Sequence, residues 1–146
     1  VEWLIGAHQK AFAALNFLLK HLAIDVDKIL IPEGYIILNP ACAAAKKTQA
    51  NTDLTPEDIA GYCLAAKHLF KLPIIYLEYS GTLGSLEVVS QVKKQIGGTR
   101  LFYGGGISTP ETAYDFSRYA DTLIVGNLVY QEPKLLKSIV EAVKEK

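Results

Sequence analysis

Two glycine-containing turns in the second half of the sequence carry residue types that could bind a phosphate. The first is Gly104-Gly105-Gly106 and the second is Gly126-Asn127. Backbone amides approach a phosphate closely where no side chain blocks them, so such cradles recur at strand ends and helix N-termini. A triple glycine alone also suits a hairpin or a flexible turn. Two such turns, each between a predicted strand and a predicted helix, predict one shared phosphate site.

Glu78 is a second candidate for chemistry, because it is a carboxylate inside an otherwise apolar predicted strand, between Tyr76 and Tyr79. Burying a carboxylate costs several kcal/mol unless it is paired or hydrogen-bonded, so its place near the carboxyl end of that strand favours a functional role. We interpret Glu78 as a general base or a ligand for a hydroxyl group. The alternative is a structural ion pair between neighbouring strands, for which Arg100 is the candidate partner. For Tyr35, packing and a pocket role stay equally open.

Four short apolar runs bounded by turn residues predict the strands that position these groups. Runs of this kind are typical of strands buried on both faces, as in parallel sheets. The predicted strands cover Gly34–Asn39, Leu72–Tyr79, Arg100–Tyr103 and Thr122–Val125.

Helical patterns precede and separate these strands. Apolar residues recur with helical spacing before the first strand, and Thr55-Pro56 and Thr109-Pro110 have the N-cap and N1 residues that start later helices. The predicted helices run from about Glu2 to His21, from Thr55 to about Phe70, from about Ser85 to Ile96, onward from Ser108, and from Pro133 to about Lys144.

A leading helix followed by four strand–helix units predicts an α/β protein with a parallel sheet. A doubly wound sheet normally carries its phosphate loop after the first strand, whereas the glycine turns here follow the last two. Barrels commonly hold a phosphate between the loops after the seventh and eighth strands. We therefore predict one domain over residues 1–146, forming the C-terminal half, about four β/α units, of a TIM (β/α)8 barrel.

The composition excludes several classes of function. Fifteen basic and fifteen acidic residues give a formal net charge of zero, so no overall positive field exists to attract nucleic acid. No apolar run approaches the roughly 20 residues of a membrane-spanning helix, and we predict a cytoplasmic protein. Cys42 and Cys63 have neither CxxC spacing nor a histidine cluster, so we expect free thiols.

Several ordered segments of this chain resemble one family, the geranylgeranylglyceryl and heptaprenylglyceryl phosphate synthases. The resemblance covers nearly the whole chain, and five segments in the same order are more specific than any single motif. They are Gly6–Lys10 after Trp3, Glu33–Tyr35 with Asn39-Pro40, Tyr76–Gly81, Leu101–Ile107 and Ala120–Asn127.

The resemblance implies an activity and a set of site residues. Members of this family transfer a polyprenyl group from its diphosphate to the C3 hydroxyl of sn-glycerol 1-phosphate, with Mg²⁺ holding the diphosphate. The segment Tyr76-Leu77-Glu78-Tyr79-Ser80-Gly81 then lines the glycerol phosphate site, and Glu78, as the catalytic residue, accepts the hydroxyl proton. Gly106, Gly126 and Asn127 match positions that bind the phosphate.

The resemblance also implies what this chain lacks. The first four strands of the family are absent, and they carry its magnesium ligands, so we assign no metal ligand here. Four strands cannot close a barrel, and we expect the chain to be stable only with the other half of the barrel or as a homodimer. Two alternatives stay open: another TIM-barrel enzyme of phosphorylated sugars, and a non-catalytic phosphate-binding half-barrel.

Overall fold

The computed structural model describes Phe17, residues 19–21 and residues 31–144. The chain divides into two compact units, Val1–Ile31 and Pro32–Lys146. In the first unit, Phe17 and residues 19–21 are helical, and the rings of Phe17 and His21 lie 4.5 Å apart. These residues agree with the helix predicted over Glu2–His21, most of which lies outside the described residues. The single domain over residues 1–146 stays a prediction.

The second unit contains a four-stranded sheet in the order β1-β2-β3-β4, with every neighbouring pair parallel. The four predicted strands are confirmed, with ends that differ by no more than two residues. Their bounds are β1 (Glu33–Ile37), β2 (Ile74–Glu78), β3 (Arg100–Gly104) and β4 (Thr122–Ile124).

Helices follow each strand. The described helices of this unit are α1 (Ala43–Thr48), α2 (Pro56–His68), α3 (Leu86–Ile96), α4 (Pro110–Ser117), α5 (Leu128–Gln131) and α6 (Leu135–Lys144). The start of α2 is a capping box, since Thr55 Oγ1 accepts from the Asp58 amide at 3.2 Å and the Asp58 carboxylate accepts from the Thr55 amide at 3.0 Å. The sequence pattern does not predict α1 and α5, because six and four residues are too few to show helical periodicity.

The two faces of the sheet have different surroundings. Because side chains alternate along a strand, Ile75 and Leu77 of β2 share one face with Leu101 and Tyr103 of β3. All four are 0% exposed and belong to the core formed with the helices. On the other face, Tyr35 of β1 is 41% exposed. The helices of this core therefore cover one face of the sheet. Tyr35, Tyr76 and Glu78 lie on the other face, where Ile37 packs against Cys42 and Ala45 at the start of α1.

The fold class is confirmed as α/β, with parallel strands and flanking helices that correspond to part of a TIM barrel. Successive strands are sheet neighbours, as in a barrel, and the strand order does not reverse as it does in a doubly wound sheet. No helix within the described ranges has both the length and the apolar character needed to cross a bilayer.

Candidate functional site

A cleft of about 360 Å³ opens at the carboxyl edge of the sheet, where the loops after β2, β3 and β4 meet. Carboxyl ends of parallel strands share one edge, so residues far apart in sequence converge there. Of the predicted site residues, those that line the cleft are Tyr76, Ser80, Gly81, Gly106, Gly126 and Asn127. The structure therefore brings both glycine turns and the segment after β2 to one place.

The turn after β3 requires glycine. Gly106 has a φ of +61°, and a Cβ there would lie 2.5 Å from the amide nitrogen of Leu83, a backbone atom that cannot move aside. Gly105 has a φ of +149°, and its Cβ would overlap the side chain of Tyr79. A Cβ on Gly104 would collide with the hydroxyl group of Tyr76. Bare backbone therefore faces the cleft just before α4, where amides can reach an anion.

The turn after β4 is built differently. A Cβ on Gly126 would meet no atom within 4 Å. Asn127 is the N-cap residue of α5, yet its side chain makes no capping hydrogen bond. The side-chain amide of Asn127 is therefore not used to cap the helix. Gly126 and Asn127 both line the cleft.

Glu78 lies at the carboxyl end of β2 with its side chain pointing away from the helices. The residue is 3% exposed. Its Oε2 accepts a hydrogen bond from the Tyr35 hydroxyl at 2.9 Å, and its Oε1 accepts one from the Ser80 amide at 2.7 Å. The alternative ion pair with Arg100 is wrong, because the strand register places Arg100 beside Ile74, at the opposite end of the sheet.

The pKa of Glu78 lies below its usual value despite this burial. Burial is the largest single effect and raises the pKa, but the hydrogen bonds from Ser80, Tyr76 and Tyr35 together lower it by more. Burial, followed by the hydrogen bond to Glu78, raises the pKa of both tyrosines. At neutral pH the cluster therefore holds one carboxylate anion and two neutral phenols that donate to it.

The remaining predicted site residues, Leu77 and Tyr79, do not line the cleft. The Leu77 side chain is 0% exposed and packs in the core on the helix side of the sheet. The Tyr79 ring lies 5.9 Å from the ring of Tyr103, between centroids. Glu78 itself does not line the cleft either, and it reaches that space through Tyr76, which does. The role of each of these residues stays a prediction.

Asn39 contacts the cleft residue Ser80, a role that the sequence reasoning missed although it named Asn39-Pro40 in the family resemblance. Its Nδ2 donates to the Ser80 carbonyl at 2.5 Å, and its Oδ1 accepts from the Ala41 amide at 2.9 Å. It is 7% exposed and ties the loop after β1 to the loop after β2. An asparagine before a proline is common in turns, so its type gave no signal. Its contact with Ser80 spans 41 residues and needs the fold to be seen.

The described cleft residues include no lysine, arginine, aspartate or glutamate. The part of this site that the structure describes can therefore bind a phosphate only through backbone amides and the neutral side chains of Ser80, Asn127 and their neighbours. No group of three His, Cys, Asp or Glu side chains within the described residues could hold a metal ion.

Comparison with known proteins links this geometry to one family. A family model described as the PcrB family matches residues 1–144. A heptaprenylglyceryl phosphate synthase from Geobacillus kaustophilus is 48% identical over 144 residues, which are 99% of this chain and 58% of that protein. The protein of the same name from Bacillus pumilus is 45% identical over 144 residues, or 60% of its length. The chain thus spans less than two thirds of these relatives.

Solved structures show the same fold. The (S)-3-O-geranylgeranylglyceryl phosphate synthase from Thermoplasma acidophilum, in complex with its substrate sn-glycerol-1-phosphate, matches with a TM-score of 0.70 and 28% identity. The match covers 80% of this chain and 50% of that one. The wild-type GGGPS from Thermoplasma volcanium matches with a TM-score of 0.69 and 29% identity, covering 89% and 57%.

Proposed function

Because this chain belongs to the PcrB family, we propose that the protein containing it is a prenyltransferase that joins a polyprenyl diphosphate to sn-glycerol 1-phosphate. The product is an ether-linked prenylglyceryl phosphate, a precursor of polar lipids in phospholipid biosynthesis. The observation that carries the proposal is the cleft, which unites the Ser80-Gly81 segment with two glycine turns. Relatives named heptaprenylglyceryl phosphate synthase support it.

The cleft supplies the acceptor half of this reaction. Gly106 and Gly126 leave backbone free of side chains, and α4 directs its N-terminus to the same edge of the sheet. Backbone amides and the helix dipole favour an anion there, so we assign the phosphate of sn-glycerol 1-phosphate to this place. The glycerol hydroxyls then extend towards Tyr76 and the Glu78 carboxylate behind it.

Glu78 acts as the proton acceptor in this proposal. The acceptor oxygen forms a bond to the allylic carbon, the bond from that carbon to the diphosphate breaks, and the hydroxyl proton must leave. It passes to the Tyr76 oxygen while the Tyr76 proton passes to Glu78. An alcohol oxygen that is bonding to a cation-like carbon becomes strongly acidic, so even a carboxylate with a lowered pKa suffices.

In this proposal the Mg²⁺ site lies outside the described residues. They contain no cluster of three acidic, histidine or cysteine side chains, so we assign none of the described residues as a metal ligand. We propose that Mg²⁺, when bound by the rest of the protein, supports departure of the diphosphate by neutralising charge that develops on it. The described residues bind and orient the acceptor.

Activity measured on the full-length protein tests the proposal. Heptaprenyl diphosphate and sn-glycerol 1-phosphate are supplied with Mg²⁺, and mass spectrometry is used to detect the ether product. We expect product with sn-glycerol 1-phosphate and far less with its mirror image, sn-glycerol 3-phosphate. Calorimetric binding of sn-glycerol 1-phosphate without turnover would favour a non-catalytic role. Tighter binding of a sugar phosphate, with no prenyl transfer, would favour another barrel enzyme.

We further propose that the protein works in the cytoplasm and that this chain needs a structural partner. Within the described residues, four strands leave the sheet open at β1 and β4, and the face carrying Tyr35 is partly exposed. The other half of the barrel or a second copy would cover these edges. Size-exclusion chromatography of the isolated chain checks this: a monodisperse monomer with cooperative unfolding would contradict it.

A further inference from the structure

Tyr103 of β3 makes two hydrogen bonds that join two loops of the cleft. Its side chain is 0% exposed. The hydroxyl oxygen accepts from the Gly84 amide at 2.8 Å, and the hydroxyl donates to the Gly105 carbonyl at 2.9 Å. One phenol therefore binds the end of the loop after β2 and the middle of the turn after β3.

The same two loops also touch each other directly. A Cβ on Gly106 would lie 2.5 Å from the Leu83 amide nitrogen and 2.8 Å from the Thr82 carbonyl carbon. Both loops contribute to the cleft, the first through Ser80-Gly81 and the second through Gly104–Gly106. Because the two loops are in backbone contact, a change in their separation would also move the backbone amides that they present to the cleft.

The Tyr103 ring is buried and packs against two other aromatic rings, which limits the positions that its hydroxyl can take. Its centroid lies 4.4 Å from that of Phe116 on α4 and 5.9 Å from that of Tyr79. Burial raises the pKa of Tyr103 to about 12, so the hydroxyl remains protonated at neutral pH and keeps both hydrogen bonds. The Tyr103 hydroxyl therefore connects the two loops through hydrogen bonds that persist at neutral pH.

We propose that Tyr103 is a positioning residue for the acceptor phosphate, whose hydroxyl fixes the spacing between the Ser80–Gly84 loop and the Gly104–Gly106 turn. It touches neither substrate, and it acts by holding the backbone amides of both loops in their binding arrangement before the ligand arrives. This inference rests on the proposed function, since it concerns the sn-glycerol 1-phosphate site of that reaction.

Substitution Tyr103→Phe in the full-length protein tests the inference, because it removes the hydroxyl and keeps the ring. We expect the KM and the calorimetric Kd for sn-glycerol 1-phosphate to rise about tenfold, with kcat at saturation within about twofold of wild type. The matched control is Tyr114→Phe, the same change at a 41% exposed tyrosine on α4. It should leave all three constants unchanged.

Hydrogen exchange separates positioning from a general loss of structure. In Tyr103→Phe the Gly84 amide loses its acceptor, so residues 80–84 should exchange faster while the β2 and β3 amides stay protected. Unchanged affinity for sn-glycerol 1-phosphate would overturn the inference. So would a lower kcat with an unchanged KM, because that is what a reduced fraction of folded protein produces.

Failure of the proposed function has a different signature. It would appear in the unmodified protein, which would then bind no sn-glycerol 1-phosphate, and the role of Tyr103 would fall with it. A wild-type protein that binds this ligand, beside a Tyr103→Phe variant that binds it equally well, would overturn only the positioning role.

Discussion

The two glycine turns of the cleft look alike in the sequence and differ in the structure. The turn at Gly104–Gly106 is packed against Thr82 and Leu83, and Tyr103 binds it to the neighbouring loop. The turn at Gly126-Asn127 has open space around its glycine and no side-chain cap. The first turn is therefore part of the framework of the site, and the second is available to adapt to a ligand.

This difference shows that the two turns use glycine for different structural reasons at one edge of the sheet. In the first turn glycine is needed because positive φ and backbone contact exclude any side chain. In the second turn a Cβ on Gly126 would meet no atom within 4 Å, so glycine is not required there by packing. The contrast predicts that variants in the first turn affect folding and binding together, whereas variants in the second affect binding alone.

The largest expected effect is at Glu78, whose carboxylate accepts a hydrogen bond from the amide of the cleft residue Ser80. We expect Glu78→Gln to lower kcat about 10²- to 10⁴-fold, because an amide cannot accept the proton. Steady-state kinetics on the full-length protein measure it, with Glu57→Gln at the exposed start of α2 as the control. A kcat equal to wild type would remove Glu78 from the mechanism.

The next effect separates the two turns directly. We expect Gly106→Ala to lower the free energy of unfolding by about 2–4 kcal/mol, because the new Cβ has positive φ and overlaps Leu83 backbone. Gly126→Ala is its matched control and should change stability by less than about 0.5 kcal/mol. Denaturant titrations compare the two. Equal effects would show that the turns are equivalent after all.

A smaller effect is expected in the turn at Gly126-Asn127. Asn127→Ala should weaken binding of sn-glycerol 1-phosphate about three- to tenfold, since one hydrogen bond to the ligand is lost. Stability should stay the same, because the Asn127 side chain makes no capping bond. Calorimetry and thermal unfolding measure the two quantities. A lower unfolding temperature with unchanged affinity would assign Asn127 a structural role instead.

The smallest expected effect is the loss, at acid pH, of the stability that the Glu78 carboxylate contributes. The folded pKa of Glu78 is lower than its unfolded value of about 4.3–4.5, so its contribution to stability is present above that value and is lost as pH falls through the folded pKa. The difference in unfolding temperature between wild type and Glu78→Gln should be constant from pH 7 to about pH 5 and shrink below about pH 4.5. A difference that grew towards low pH would contradict the lowered pKa.

The sequence predicted the four strands and the longer helices of the second unit from local signals, and the strand order predicted the meeting of the two turns. Apolar runs mark β1 to β4, and Thr55 and Thr109 mark helix starts that the structure has. The order of the elements then selects the fold class. Parallel strands bring their carboxyl ends together, so Gly106 and Gly126 are expected at the same edge of the sheet.

The contacts that organise the site could not be predicted in the same way. Tyr35 and Glu78 are 43 residues apart, and only the register between β1 and β2 makes them partners. The register between β2 and β3 removed the suggested pairing of Glu78 with Arg100. Tyr103 is an ordinary aromatic residue in an apolar strand, and its two hydrogen bonds depend on loops whose shapes have no pattern in the sequence.

The close approach of the Tyr76 hydroxyl to Gly104 limits which substitutions the fold tolerates at position 104. Alanine at position 104 collides with that hydroxyl while Tyr76 is present. A smaller residue at position 76 would remove this overlap, so Gly104→Ala should be better tolerated after that change. In a library of variants the two substitutions should be strongly non-additive, with the double variant more stable than the sum of the single effects implies. Tolerance of a side chain at position 104 thus depends on which residue occupies position 76.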